Sequence, residues 1–366
     1  MIAPGERVSN AAAGAPEPFF SICIPQYNRT DFLLRACESF AAQGFRDFEL
    51  CIADDCSNDG GEGALVEYLR GSGMTFTYAR NAHNLRYDGN LRAAIALSRG
   101  RYLLLMGNDD GLADAGVLQA LRDDLVAHAP VAAAICNYRD ATTGQQYRRM
   151  TATGVLGAGP DLAVAVFRRY SFVSGVILEG GPARAAATDI VDGSEMYQMH
   201  VGTRLIAAGG RLLAIDRTCV DMGLQIPGQV VDSYRRIPRL DPCPIVERPL
   251  PLGRLLQVVG TGLAAARASS QVRLVRAAWQ LYFYIFPYWA IEYRRIQSWN
   301  YAAGILLAVR PTRIAHGLTL RAPARVVLWA LYLGSTCASL VFPIRLFDAL
   351  RPRLYALAKR VAASGA

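Results

Sequence analysis

Short apolar runs alternate with stretches of helical period through the first 220 residues of the chain. Residues 19–24, 48–53, 75–79, 102–106 and 131–138 are continuous or alternating apolar runs of strand length. Between the first two, Phe32, Leu33, Ala36 and Phe40 recur on one face over 31–43. Thr30 or Asp31 can cap that helix, and Gly44 ends it. The same pattern predicts helices over 62–71, 90–99 and 114–127. Such alternation implies βαβ units, an α/β fold with a mostly parallel sheet flanked by helices. Further on, 139–160 is polar and Gly-rich, a loop or hairpin. Helices are then expected over 163–170 and 195–208, with extended chain over 172–178 and 211–215.

The chain divides by composition. Residues 1–18 are Ala/Gly/Pro-rich and predict a flexible tail with no apolar core for a signal peptide. Residues 19–226 carry the α/β pattern, and 227–251 holds six prolines and reads as a linker. From 252 to 366 the pattern is helical, apolar and basic. Charge sharpens this division. Residues 1–235 carry 21 Arg against 26 acids, a net of −5, whereas 236–366 carry 17 Arg and one Lys against 4 acids, +14. Together they make the +9 of the whole chain. The basic third is also rich in Leu, Val, Trp and Tyr, which points to an anionic membrane surface and away from nucleic acid.

Within that third, 326–344 is a 19-residue stretch without charge, close to spanning length. Gly334, Ser335, Thr336, Ser339 and Pro343 lower its apolarity, and Arg flanks both sides. Symmetric basic flanks suit helices lying in the interface better than one span. A peripheral or monotopic seat on the cytoplasmic face of a membrane is therefore expected. Eight scattered cysteines without metal or redox spacing fit a reduced compartment.

Two strand ends carry chemistry. The run 48–53 ends in Asp54-Asp55, and 102–106 is followed by Gly107-Asn108-Asp109-Asp110. Either pair alone is equally a turn former or helix cap. In an open α/β sheet, however, ligands bind outside the carboxyl ends of strands. Paired carboxylates there suit a nucleobase N–H and a divalent ion holding a diphosphate.

The stretches Ser21-Ile-Cys-Ile-Pro25-Gln-Tyr27-Asn28-Arg29, Ile52-Ala-Asp54-Asp55-Cys-Ser57, Asn81-x-x-Asn84 and Gly100-Arg-Tyr-Leu-Leu-Leu-Met-Gly-Asn-Asp109-Asp110 stand in order over 19–115. In this the chain resembles the family-2 inverting glycosyltransferases of the GT-A fold, and through Asn84-Leu-Arg-Tyr-Asp88-Gly-Asn90 their abequosyltransferase-like branch of bacterial surface-polysaccharide enzymes. The resemblance implies that Pro25, Tyr27 and Asn28 flank the nucleobase and that Asp55 contacts it, with Asp54 and Asn84 beside them. It implies Mn²⁺ or Mg²⁺ on Asp109 and Asp110, with Asp110 the direct ligand. It implies a nucleoside-diphosphate sugar, UDP favoured, and a polyprenyl-linked saccharide or lipid acceptor.

One departure matters. Many members carry a Glu-Asp pair about seven residues before a helical Arg; at that spacing from Arg204 stand Tyr197 and Gln198. An inverting transfer needs a base for the acceptor hydroxyl. Glu195 is the first candidate and Asp192 the second, and either also suits a helix start. Arg86 and Arg92 are candidates for the diphosphate or plain helix residues. Tyr147, Arg148 and Arg149 could close over a donor or simply sit in a surface loop. His200 reads as structural. A nucleotidyltransferase would want a Gly-rich phosphate loop where Pro25-Gln-Tyr-Asn-Arg29 stands. A non-catalytic scaffold of the same fold is the remaining alternative.

Overall fold

The computed structural model describes residues 2–12, 14–229, 251–296 and 299–350. Its strands are β1 (Arg7–Ser9), β2 (Phe20–Gln26), β3 (Phe48–Asp54), β4 (Thr75–Arg80), β5 (Tyr102–Leu105), β6 (Gly111–Leu112), β7 (Ala133–Asp140), β8 (Gln146–Tyr147), β9 (Gly154–Gly157), β10 (Val176–Glu179) and β11 (Leu212–Met222). The first seven helices are α1 (Thr30–Ala41), α2 (Glu62–Gly71), α3 (Arg86–Leu97), α4 (Val117–Ala127), α5 (Pro160–Val166), α6 (Gly180–Ala185) and α7 (Tyr197–Ala207). The rest are α8 (Leu255–Ala265), α9 (Gln271–Gln280), α10 (Phe286–Ile296), α11 (Trp299–Ala308), α12 (Pro311–Ile314) and α13 (Ala322–Val341).

One sheet runs in the order β1-β4-β3-β2-β5-β10-β7-β11-β6. Strands β4, β3, β2 and β5 are mutually parallel, as the continuous apolar runs predicted. Beyond β5 the sheet is mixed, because β10 lies antiparallel to both β5 and β7. Gln26 is level with Asp54, and the last rung between β2 and β5 joins Cys23 to Leu105. The chain leaving β2 therefore lies between the ends of β3 and β5. Both acidic pairs come to that one edge.

Several expectations are corrected. Residues 7–9 are not part of a flexible tail but an edge strand on β4. Ser9 and Asn10 side chains reach the backbone of Met74 and Phe76, which satisfies an otherwise open edge. Helix α3 starts at Arg86, not 90, because Asn84 Oδ1 accepts the Arg86 N–H at 3.0 Å. Helix α4 starts at Val117, since Asp114 takes the Gly116 N–H into a turn instead. Strand β11 runs on to Met222 along β7, through two register shifts. The 139–160 stretch, by contrast, is the expected hairpin, with β8 antiparallel to β7, and it goes on to pair β9 with β11. Most of the expected linker, 230–250, lies outside the described residues.

The helices beyond 251 share a core with the sheet. Val201 and Leu205 of α7 belong to one buried cluster with Leu256, Val259 and Leu263 of α8, and that cluster continues through Ala277 and Phe286 to Leu328. His200 marks this seam. It is 1% exposed, with Nδ1 3.4 Å from Val258 O and 3.2 Å from Thr261 Oγ1, and with Nε2 unpartnered. It is thus a packing residue of the seam.

Burial holds the imidazole neutral, lowering its pKa from 6.5 to about 4. Between those values the unfolded chain binds the extra proton and the folded chain does not. Stability therefore falls as pH drops through that window, by about 3 kcal/mol at most for this group. We expect His200→Gln to flatten the stability curve between pH 6.5 and 4, read by urea unfolding. Parallel curves for the two proteins would refute this.

Candidate active site

The cleft at the strand ends is built around Gln26, which is fully buried. Its Nε2 donates to Asn28 O at 2.8 Å, and its Oε1 accepts from Asn108 Nδ2 at 2.8 Å. Its backbone O accepts from Asn90 Nδ2 and from the Asp55 N–H. Asn28 and Arg29 follow in left-handed backbone, with φ of 53° and 61°, which non-glycine residues adopt only when held. Here Ser57 Oγ accepts the Asn28 N–H and Asn28 Oδ1 accepts the Asn58 N–H, both at 2.8 Å. Pro25 lies two residues past the last rung to β5, level with Ala53. Tyr27 is 47% exposed, an aromatic face presented to solvent.

Asp54 is 2% exposed and works inside the fold. Its Oδ1 accepts the Ser57 N–H and its Oδ2 the Tyr78 hydroxyl, both at 2.7 Å. It fixes the turn that presents Asp55. Asp55 Oδ1 accepts from Asn81 Nδ2 at 3.0 Å and from the Leu85 N–H at 2.6 Å. Asn84 Nδ2 donates to Asp55 O at 3.2 Å, tying this turn to the start of α3. Arg86 is exposed and its guanidinium makes no hydrogen bond among the described residues.

The two acids after β5 differ sharply. Asp110 is 3% exposed. Its Oδ2 accepts the Ser174 hydroxyl and its Oδ1 the Gly223 N–H at 2.8 Å. Burial, then the Asp109 carboxylate, pushes its pKa up to about 7. Asp109 is the acid open to the cleft, with a single ion pair from Oδ2 to Arg29 Nη2 at 2.9 Å. Among the described residues no three of His, Cys, Asp or Glu converge as a metal set. The donors that are present are hard oxygens. A Cβ at Gly107 would lie 2.9 Å from Asp110 Oδ2 and 3.2 Å from Asp109 Oδ1, so glycine there keeps the carboxylates uncrowded. One carboxylate with substrate phosphates and water suits Mg²⁺ or Mn²⁺.

The loop before α7 holds both candidate bases. Asp192 is gripped by Arg92 through two contacts at 2.6 and 2.8 Å, and Arg92 also donates to Thr188 O. The ion pair answers for both residues: Arg92 is not a free phosphate ligand, and Asp192 is a brace. Glu195 is exposed and precedes the helix, in left-handed backbone with φ 58°. Asp88 of α3 accepts the Glu195 and Tyr197 N–H groups at 2.8 and 2.9 Å, and the Ser194 hydroxyl at 3.4 Å. Desolvation first, then the Asp88 charge, raises the Glu195 pKa. Arg149 is enclosed, donating to the backbone O of Cys136, Phe172 and Ser174. It shapes the segment that carries Ser174 and does not close over the cleft.

Four residues that matter here carried no distinct signal in the sequence: Arg29, Asp88, Ser174 and Gln26. Gln26, Arg29 and Asp88 stood inside the recognised motifs without an assigned part.

The ends of the parallel strands β2, β3 and β5 thus gather two acidic pairs at one edge, the arrangement of a GT-A type fold. Residues 21–175, under half of the chain, match Glycosyl transferase family 2. It is 38% identical over 95 residues to abequosyltransferase RfbV of Salmonella typhimurium, 25% of this chain and 28% of that one. It is 32% identical over 111 residues to chondroitin synthase of Escherichia coli, 30% of this chain and 16% of that one. The chain thus spans under a third of either relative. In fold it is similar to S. aureus TarS 1–349 in complex with UDP, at a TM-score of 0.53 and 15% identity, over 93% of this chain and 88% of that one.

Asp88→Ala leaves the Glu195 and Tyr197 N–H groups without their acceptor. We expect a loss of about 2 kcal/mol. Hydrogen exchange should quicken at 195–197 ahead of the rest of α7; unchanged exchange there would refute the bracing role.

Proposed function

We propose that the protein is an inverting, metal-dependent glycosyltransferase of surface-polysaccharide assembly. It moves a sugar from a nucleoside-diphosphate donor, UDP favoured, to a membrane-held saccharide or lipid acceptor such as a polyprenyl-linked one. The observation that carries this is the meeting of Asp55, Tyr27 and Asp109 at one edge of a family-2 domain. In this reading Tyr27 stacks on the base and Asp55 accepts its N–H. Asp109, rather than the enclosed Asp110, faces the diphosphate. A divalent ion bound there supplies charge neutralisation for the diphosphate leaving group. Glu195 takes the proton of the acceptor hydroxyl, and its raised pKa suits that task. Asp192 is left to hold the loop.

Membrane attachment belongs to the same reading. Among the described residues one helix, Ala322–Val341, is long and apolar enough to cross a membrane, and 17% of its apolar window is buried. Its uncharged part runs from Val326 and ends at Val341, before Pro343. Those 16 residues rise about 24 Å, short of the roughly 30 Å hydrocarbon core. Val326, Trp329, Leu333 and Val341 are exposed, as are Trp279 and Phe283, which stack at 5.1 Å. Arg321 and Arg325 stand before this run and Arg345 follows it. These features support a helix lying in the interface of an anionic, cytoplasmic-face membrane.

Asp109→Asn and Glu195→Gln should each cut sugar transfer at least about a hundredfold with melting temperature unchanged. Undiminished transfer by Asp109→Asn would sink the metal assignment, and by Glu195→Gln the base assignment. A panel of UDP-, GDP-, CDP- and dTDP-sugars with and without Mn²⁺ tests the donor class. One nucleotide should raise the melting temperature, more so with Mn²⁺. No shift with any of them would refute the nucleotide-sugar reading.

A further inference from the structure

Arg29 and Asp109 lie 80 residues apart in sequence yet share the only cation–carboxylate contact that either makes among the described residues. The contact is one-pronged: Arg29 Nη2 donates to Asp109 Oδ2 at 2.9 Å, and the guanidinium makes no other hydrogen bond among the described residues. Other arginines of the fold are held harder. Arg92 grips Asp192 with two nitrogens, and Arg99 grips Glu49 with two. The Arg29 backbone, by contrast, is fixed, in left-handed conformation at the start of α1. Its guanidinium rests over the Phe32 ring at 4.8 Å. The side chains of Arg29 and Asp109 are 26% and 17% exposed, so a ligand entering the cleft reaches both. The pair is a loosely held charge on a rigid mount.

We propose that Arg29 is a tethered cation that occupies Asp109 in the free protein and yields it when a nucleoside diphosphate arrives, coupling divalent-ion binding to nucleotide binding. This rests on the reading of the cleft as a nucleotide-sugar site. A divalent ion and a guanidinium on one carboxylate repel each other. The ion alone must displace Arg29 and leave its charge without a partner. A diphosphate brings anionic oxygens that accept the guanidinium N–H groups, so Arg29 exchanges one anion for another. Linkage then requires that the nucleotide strengthen the ion and the ion strengthen the nucleotide by one common factor.

The test is Mn²⁺ affinity, measured by electron paramagnetic resonance of free Mn²⁺ with and without UDP. For the full chain we expect UDP to tighten Mn²⁺ by about tenfold or more. In Arg29→Gln, Mn²⁺ alone should bind several-fold tighter than in the parent, and the tightening by UDP should shrink. Arg29→Lys keeps the charge and should behave as the parent, which separates charge from any local change in fold. Equal or weaker Mn²⁺ binding by Arg29→Gln without UDP overturns the Arg29 inference and leaves the glycosyltransferase reading standing. No Mn²⁺ binding by any of the three proteins, with or without UDP, overturns the Arg29 inference together with the metal part of that reading.

Discussion

A single buried residue, Gln26, joins the carboxyl ends of the three central strands through its side-chain amide and its backbone carbonyl. At that edge the ladder hydrogen bonds run out, and polar groups without water must satisfy one another. Gln26 does so for three segments at once, through Asn28 after β2, Asn108 after β5 and the Asp55 N–H after β3. Each of those segments ends in a cleft residue. Tyr27, Asp55 and Asp109 are thus presented by neighbours that share one hydrogen-bonding hub. The strained backbone of Asn28 and Arg29 persists because that hub and Ser57 over-determine it.

The loop before α7 has its own frame, and it reaches into the C-terminal helices. Arg92 holds Asp192, Asp88 holds the backbone at Glu195 and Tyr197, and Arg254 donates to the backbone O of Asp192. Arg254 sits immediately before α8. The loop carrying Glu195 is therefore pinned between the sheet domain and the helices that carry the apolar, basic surface. Since α7 and α8 share one core, an acceptor held at that surface would meet a loop fixed to the donor side. Exposed Glu195 stands on a loop braced through its backbone, which would suit the base role proposed for it.

Much of this was legible in the sequence, and the divide has physical reasons. Continuous apolar runs foretold β2, β3 and β5 because those strands are buried on both faces. The acidic strand ends marked one edge of the sheet, because β2, β3 and β5 are adjacent and parallel. What the sequence hid were choices made by tertiary contact. Nothing local says that Asp54 would face Tyr78 or that Asp110 would face Ser174. Asp192 and Arg92 are 100 residues apart, so their pairing, and with it the demotion of Asp192, waited on the fold. Edge strand β1 was hidden by its Ala/Gly/Pro-rich surroundings, since an edge needs few residues and little apolar pattern.

The two adjacent acids resolve a conflict that the sequence posed. Asp109 and Asp110 cannot both stand ionised and unpaired at one strand end, because like charges so close repel in a poorly screened setting. The fold separates them by environment. Asp110 is enclosed, and burial together with Asp109 favours its protonated form. Asp109 stays at the opening, where Arg29 offsets its charge. The acid left facing the opening is Asp109, paired with Arg29. In the proposed reading an anionic diphosphate would meet Arg29 and a cation would meet Asp109; neither alone would leave the other satisfied, so the resting pair would favour the arrival of both.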